Sequence, residues 1–131
     1  MAEAQKVPQR AEIPVEYTWD LATVYPNTDA WDQDVARLES MLPDVTALQG
    51  TLGQGASVLL QALTLRDEIT KILYQLYIYA SHRKDSDSTD PTGQALDERA
   101  GSLVARISAA LAFIEPEILA LPQETIAAWL A

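Results

Sequence analysis

The chain has 131 residues, of which 48% are hydrophobic, and this composition indicates one globular domain and excludes global disorder. Nine basic against 19 acidic residues give a net charge of −10, which disfavours nucleic acids and anionic membranes as partners. The absence of cysteine excludes disulfides, thiolate metal ligands and a cysteine nucleophile. No apolar run has membrane-spanning length and no signal-peptide core is present, so we expect a cytoplasmic protein.

The chain is predicted to begin with a flexible lead-in over residues 1–15, followed by a helical domain over residues 16–131. The segment EYTWDLATVYPN concentrates large side chains in a stretch too short for a core helix, and we interpret it as a strap over a helical groove. Between Glu12 and Asp44, eight acidic residues stand against one base, Arg37. This excess is either a surface that steers cationic partners or, as we favour, a solvated face.

A first long helix is predicted over residues 28–49, with Thr28 or Asp29 as its N-cap. Apolar residues recur at spacings of three and four and give this helix one buried face. Pro43 falls inside the pattern, where it should kink the helix or restart it in the preceding turn.

An antiparallel hairpin of two long helices organises the rest of the chain, with helices predicted over residues 56–83 and 91–114. Ser57 is a suitable cap for the first of them, and the sequence leaves open whether this helix bends before it enters the hairpin. Asp90 and Pro91 supply an N-cap and a first-turn proline for the second helix.

The C-terminal part is predicted to hold a helix boundary at Glu115-Pro116 and a short helix over residues 116–121. The last segment, QETIAAWLA, starts an apolar face with Trp129 and Leu130 and stops without a cap or a polar tail. We therefore expect an all-α antiparallel helical bundle built on the long hairpin, truncated at its C-terminal end as a fragment of a larger helical protein.

The residues contain no recognisable catalytic or metal-binding constellation. The single histidine, His82, has no second ligand at helical spacing, and a role at the helix end is favoured. Asp85, Asp87 and Asp90 resemble alternate ligands of a calcium loop, but the glycine and the bidentate glutamate of such a loop are missing. We favour solvated turn carboxylates and an N-cap, and we assign no catalytic and no metal residue.

Three tyrosines, Tyr74, Tyr77 and Tyr79, fall within six residues and cannot all face one core. At least one should lie at a rim or groove, where an aromatic ring with a polar tip can hold a peptide. A core position is favoured for Tyr77. Together with His82, the three tyrosines are the candidate residues for a channel or groove surface.

Several motifs follow one another in an order that resembles a known family. They are TWDL, YxYAS, the D-x-D turn, DERA and PEIL. From Ile13 to its end, the chain resembles the N-terminal region of oligoendopeptidase F, a zinc metallopeptidase related to thimet oligopeptidase.

This resemblance implies a mostly helical enzyme with a deep channel that admits short peptides and excludes folded proteins. In that family, zinc is bound by an HExxH helix and a downstream glutamate, and the glutamate of the motif activates water. None of these positions exists in residues 1–131, so we expect this chain alone to be inactive and to hold no cofactor. Zinc is expected in the full-length enzyme, where this N-terminal helical domain would form part of the channel wall or lid.

The partners implied are the C-terminal catalytic domain of the same polypeptide and short peptides. A wall domain on its own should expose apolar surface around Trp129 and Leu130 and tend to self-associate. The alternative is a free-standing acidic helical interaction module without catalytic activity. A third hypothesis is a cation-binding protein that uses the three turn aspartates.

Overall fold

The structure of the protein is a computed structural model that describes residues 6–131. All regular elements of this part are helical, and short 3-10 helices lie at Arg10–Glu12, Val15–Tyr17, Leu21–Thr23 and Leu52–Gln54. The α-helices are α1 (Thr28–Thr46), α2 (Ala56–Ser86), α3 (Pro91–Leu111), α4 (Ile114–Leu119) and α5 (Gln123–Leu130). The predicted all-α bundle on a long hairpin is confirmed. Residues 1–5 of the predicted lead-in lie outside the described residues.

The hairpin of α2 and α3 is the central element. With 31 residues, α2 is one uninterrupted helix of about 46 Å that continues into the hairpin without a break. The side chain of Asp90 accepts a hydrogen bond from the Thr92 amide at 3.0 Å, and Pro91 opens α3, as predicted. Near the turn the two helix backbones approach each other closely. A Cβ on Gly93 would lie only 3.2 Å from the Lys84 backbone.

Helix α1 packs against one side of this hairpin. The indole Nε1 of Trp31 donates a hydrogen bond to the Leu76 carbonyl at 2.9 Å, and the Trp31 side chain is fully buried. At the edge of the contact, Arg99 lies 4.7 Å over the Trp31 ring and pairs with Asp32 at 2.8 Å. The largest fully buried side chains of the core are Trp31, Leu38, Leu52, Ile69, Leu76, Ile107 and Val45.

Two predicted helix starts and the effect of Pro43 need correction. The N-cap of α1 is Asn27, whose side chain accepts a hydrogen bond from the Ala30 amide at 2.9 Å, and not Thr28 or Asp29. Gly55, in extended backbone, precedes α2, so Ser57 is already inside that helix. Pro43 does not restart α1, which continues unbroken through it to Thr46, although Pro43 has no N–H to donate to the carbonyl of residue 39.

The boundary after α3 lies earlier than predicted. The chain leaves α3 at Ala112 and begins α4 at Ile114, so Glu115 and Pro116 are inside α4 and do not mark its boundary. Proline is tolerated there because the amides of a first helical turn have no intrahelical acceptor. Helix α5 contains no buried residue, and Leu130, its last residue, is 83% exposed.

Candidate functional site

The four candidate residues on α2 do not share one environment. Tyr74 and Tyr77 are 64% and 44% exposed, whereas Tyr79 is 5% exposed and belongs to the core. His82 is half-buried. The core position favoured for Tyr77 is therefore wrong. Because residues two apart on a helix point about 200° away from each other, the tyrosine that faces the core excludes its neighbour from it.

Tyr74 and Tyr77 border a groove between α2 and α3, with a volume of about 400 Å³, which we call the hairpin groove. Its apolar lining consists of Leu73, Val104, Ile107 and Leu111. Its hydroxyl-bearing lining consists of Thr70, Tyr74, Tyr77 and Ser108. Of the five depressions described along residues 6–131, this groove alone has no charged side chain in its lining. Its chemistry suits an uncharged ligand.

The aromatic segment before α1 lies across the other side of α2. The rings of Tyr25 and Tyr79 meet edge to face, with centroids 5.5 Å apart, and Tyr25 is buried. The Trp19 ring lies 4.2 Å from the His82 ring at an interplanar angle of 50°. This agrees with the interpretation of the segment as a strap, although Tyr17 is 76% exposed.

The strap is also joined to α1 through a hydroxyl–carboxylate pair. The Tyr25 hydroxyl donates a hydrogen bond to Asp34 Oδ2 at 2.7 Å. Burial raises the pKa of Tyr25 far above its ordinary value, and the bond to the Asp34 carboxylate raises it further. Tyr25 therefore stays neutral and acts as a structural donor, not as an acid or a base.

The acidic turn between α2 and α3 uses its carboxylates for local hydrogen bonds. Asp87 accepts from the amide and the hydroxyl of Thr89, and these two bonds lower the pKa of Asp87. For Asp90, burial acts to raise the pKa, but bonds from Thr92 and Arg83 outweigh it and leave the pKa below its usual value. These contacts match turn carboxylates and an N-cap.

Among residues 6–131, no group of three or more His, Cys, Asp or Glu side chains is placed to hold a metal ion. Acidic residues on α2 and α3 pair with bases instead, as in Lys84–Asp97 at 2.7 Å and Arg37–Glu68 at 2.7 Å. The Asp97 contact raises the pKa of Lys84 and so keeps it protonated. Within the same residues, no helix is long and apolar enough to cross a membrane.

Known proteins similar to this chain are peptidases by name. No family model matches the chain. It is 32% identical over 124 residues to oligopeptidase PepF of Bacillus subtilis, a match that covers 95% of this chain and 18% of that protein. Plasmid-encoded oligoendopeptidase F of Lactococcus lactis subsp. cremoris is 33% identical over 92% of this chain and 20% of its own length. This chain thus spans about a fifth of the length of these relatives.

A solved structure carries the same fold. The crystal structure of a candidate peptidase from Chlamydophila abortus superimposes with a TM-score of 0.80 and 29% identity, over 96% of this chain and 22% of that one. Similarity to peptidases thus extends along nearly the whole chain both in sequence and in structure. The resemblance indicated by the motifs is thereby confirmed, and the chain is a relative of the N-terminal region of oligoendopeptidase F.

Proposed function

We propose that this chain is the N-terminal helical domain of an oligoendopeptidase-F-like zinc peptidase and forms part of the wall or lid that limits substrates to short peptides. The observation that carries the proposal is the match to oligopeptidases along 92–95% of the chain, together with the shared fold. A wall must be long and stiff, and α2, at about 46 Å and packed on α1 and α3, suits that role.

The zinc of such an enzyme would be bound outside this segment. The family's site needs two histidines on one helix, and this sequence contains one histidine and no cysteine. The donor set of this chain does not fit the ion, so we derive no catalytic step from its residues.

The expected partners are the catalytic remainder of the same polypeptide and short peptides. Leu119 and Leu130 are 77% and 83% exposed near the C-terminal helices, where they offer apolar contacts to such a remainder. The same side chains would promote self-association of the isolated segment.

The competing hypothesis of an acidic interaction module has less support. Several carboxylates of the acidic stretch are engaged within the fold. Asp32 pairs with Arg99 at 2.8 Å and Glu39 with Arg106 at 2.7 Å. Asp34 accepts from Tyr25 at 2.7 Å. The negative surface available to a cationic partner is therefore smaller than the count of acidic residues suggests.

The proposal is tested with a chimera of B. subtilis oligopeptidase PepF in which this chain replaces the matching segment. Two internally quenched substrates would contain the same cleavage sequence, one as a peptide of about ten residues and one within an unstructured chain of about 60 residues, which spans far more than α2 when extended. We expect the chimera to cleave the short substrate and to discriminate against the long one as the parent does.

A folded, active chimera that cleaves both substrates equally well would refute the wall role. If the chimera folds but cleaves neither substrate, the segment does not substitute for its relative, and the interaction-module hypothesis gains. A chimera carrying the matching segment of the Lactococcus relative controls for the effect of replacement itself.

A further inference from the structure

The hairpin groove combines an apolar lining with hydroxyl groups that have no partner in the protein. Within residues 6–131, the hydroxyls of Thr70, Tyr74, Tyr77 and Ser108 make no hydrogen bond to another protein group. By contrast, Ser81 and Ser86, on the same α2, bond back to carbonyls of their own helix at 3.4 and 2.7 Å. The groove therefore offers free donors and acceptors beside an apolar surface.

We propose that the hairpin groove binds the uncharged interior of an extended peptide, with one apolar side chain against Leu73 and Val104 and the peptide backbone bonded to the hydroxyls. This deepens the function proposed above and rests on it, because it assigns short peptides to a particular face of the domain. The ligand class is a neutral segment with aliphatic or aromatic side chains.

Charge supports this choice of ligand. No charged residue lines the groove, so an ionised side chain or peptide terminus placed there would lose water without gaining a counter-ion. An apolar side chain instead gains about 25 cal/mol for each Å² that it buries. The groove thus distinguishes the interior of a peptide from its ends.

Hydrogen bonding and length favour an extended chain over a docked helix. Each residue of an extended peptide presents an amide donor and a carbonyl acceptor, which the hydroxyls can pair. A helix pairs its backbone amides and carbonyls within itself. It would cover the groove hydroxyls without hydrogen-bonding them, which costs their desolvation free energy. From Thr70 to Tyr77 the groove runs about 10 Å along α2, which matches about three extended residues.

The experiment uses the whole 131-residue chain, labelled with ¹⁵N, and follows backbone amide shifts in two-dimensional NMR spectra. The probe is the capped peptide acetyl-Ala-Ala-Leu-Ala-Ala-amide, and matched peptides carry Asp or Lys in place of the central leucine. We expect saturable shifts confined to residues 70–77 and 104–111, with a Kd on the order of 1 mM. The charged peptides should bind at least about tenfold more weakly.

Variants locate the site. Ser108 is exposed, so S108W fills the groove without entering the core and should weaken binding by about tenfold or more. S102W places the same ring on another exposed position of α3 and should leave the Kd within about twofold. Y74F removes one hydroxyl and keeps the ring, and should weaken binding by about threefold to tenfold.

The proposal is overturned if no saturable shift is seen at about 20 mM peptide, which is far above the expected Kd. It is also overturned if the shifts lie on another face, if the charged peptides bind equally well, or if sedimentation shows self-association that S108W abolishes, because a second copy of the chain then occupies the groove. Failure here leaves the chimera result untouched. Peptide binding together with an inactive chimera would show that the groove binds peptides although the segment does not substitute for its relative.

Discussion

The two sides of the α2–α3 hairpin are built from the same helices and differ in what covers them. On one side, α1 buries Trp31 and Leu38 completely and adds the ion pair of Asp32 and Arg99. On the other side, Tyr74 and Tyr77 are exposed around the hairpin groove. The covered side therefore holds the fold together, whereas the uncovered side carries surface chemistry that folding does not require. Substitutions should separate these two roles.

The largest effect is expected on the covered side, from W31A. The substitution removes a fully buried indole and its hydrogen bond to the Leu76 carbonyl. We expect the free energy of unfolding to fall by about 3–5 kcal/mol, measured by urea denaturation followed by circular dichroism. As a control, W19A removes a ring that is 55% exposed and should cost less than about 1 kcal/mol. Equal losses in the two variants would contradict the central position of Trp31.

The next effect concerns the contact between the two hairpin helices and uses two glycines of α3. An alanine Cβ at Gly93 would lie 3.2 Å from backbone atoms of Lys84, whereas at Gly101 it would meet nothing within 4 Å. G101A should raise the free energy of unfolding by up to about 1 kcal/mol through helix propensity. G93A should lower it by about 1 kcal/mol, because crowding between two helix backbones outweighs that gain. If G93A stabilises the protein as much as G101A does, the close approach is wrong.

An effect of similar size to that of G93A is expected at the start of the covering helix, α1. The Asn27 side chain accepts from the Ala30 amide at 2.9 Å, so N27A should lower the free energy of unfolding by about 1 kcal/mol. N27D keeps an acceptor near the positive end of the helix dipole and should cost no more than a few tenths of a kcal/mol. A larger loss from D29A than from N27A would favour the cap that the sequence alone suggested.

The helices themselves are predictable because each buries one face at regular spacing. The predicted hairpin helices, 56–83 and 91–114, differ from Ala56–Ser86 and Pro91–Leu111 by at most three residues at any end. The caps are less predictable. Asn27, Thr28 and Asp29 stand in a row with side-chain acceptors, and only the backbone geometry decides which one begins α1.

The candidate site was harder to predict than the fold. The alternation of Tyr77 and Tyr79 shows that one of them faces outward, but the rotation of α2 is determined by α1, α3 and the strap, which lie far away in the sequence. Thr70 and Ser108 have no recognisable pattern, because single hydroxyl residues on helix surfaces are common. Their significance depends on their approach across the hairpin groove, which only the tertiary structure provides.

The strap allows a pH-dependent test on the covered side. Because the folded state raises the pKa of Tyr25, its neutral form stabilises the fold below the unfolded-state pKa of about 10, and this stabilisation is lost as the pH rises beyond it. Between about pH 10 and 11, the stability of Y25F should therefore fall less steeply with pH than that of the parent. Thermal melts at a series of pH values measure this fall. Y17F, which changes a tyrosine that is 76% exposed, should leave the alkaline profile unchanged. If Y25F loses stability at alkaline pH as steeply as the parent does, Tyr25 is not the origin of that loss.

The smallest effect on stability is expected on the uncovered side, and it is the one that decides the comparison. Tyr74 is 64% exposed and its hydroxyl bonds to no other group among residues 6–131, so Y74S should change the free energy of unfolding by no more than about 0.5 kcal/mol. If the hairpin groove holds peptides, the same substitution should weaken binding of the capped leucine peptide by about tenfold, because it removes both ring and phenol. A loss of binding without a loss of stability separates the two sides as surface and scaffold. A loss of stability comparable to that of N27A would mean instead that Tyr74 supports the hairpin, and the two sides would then share one structural role.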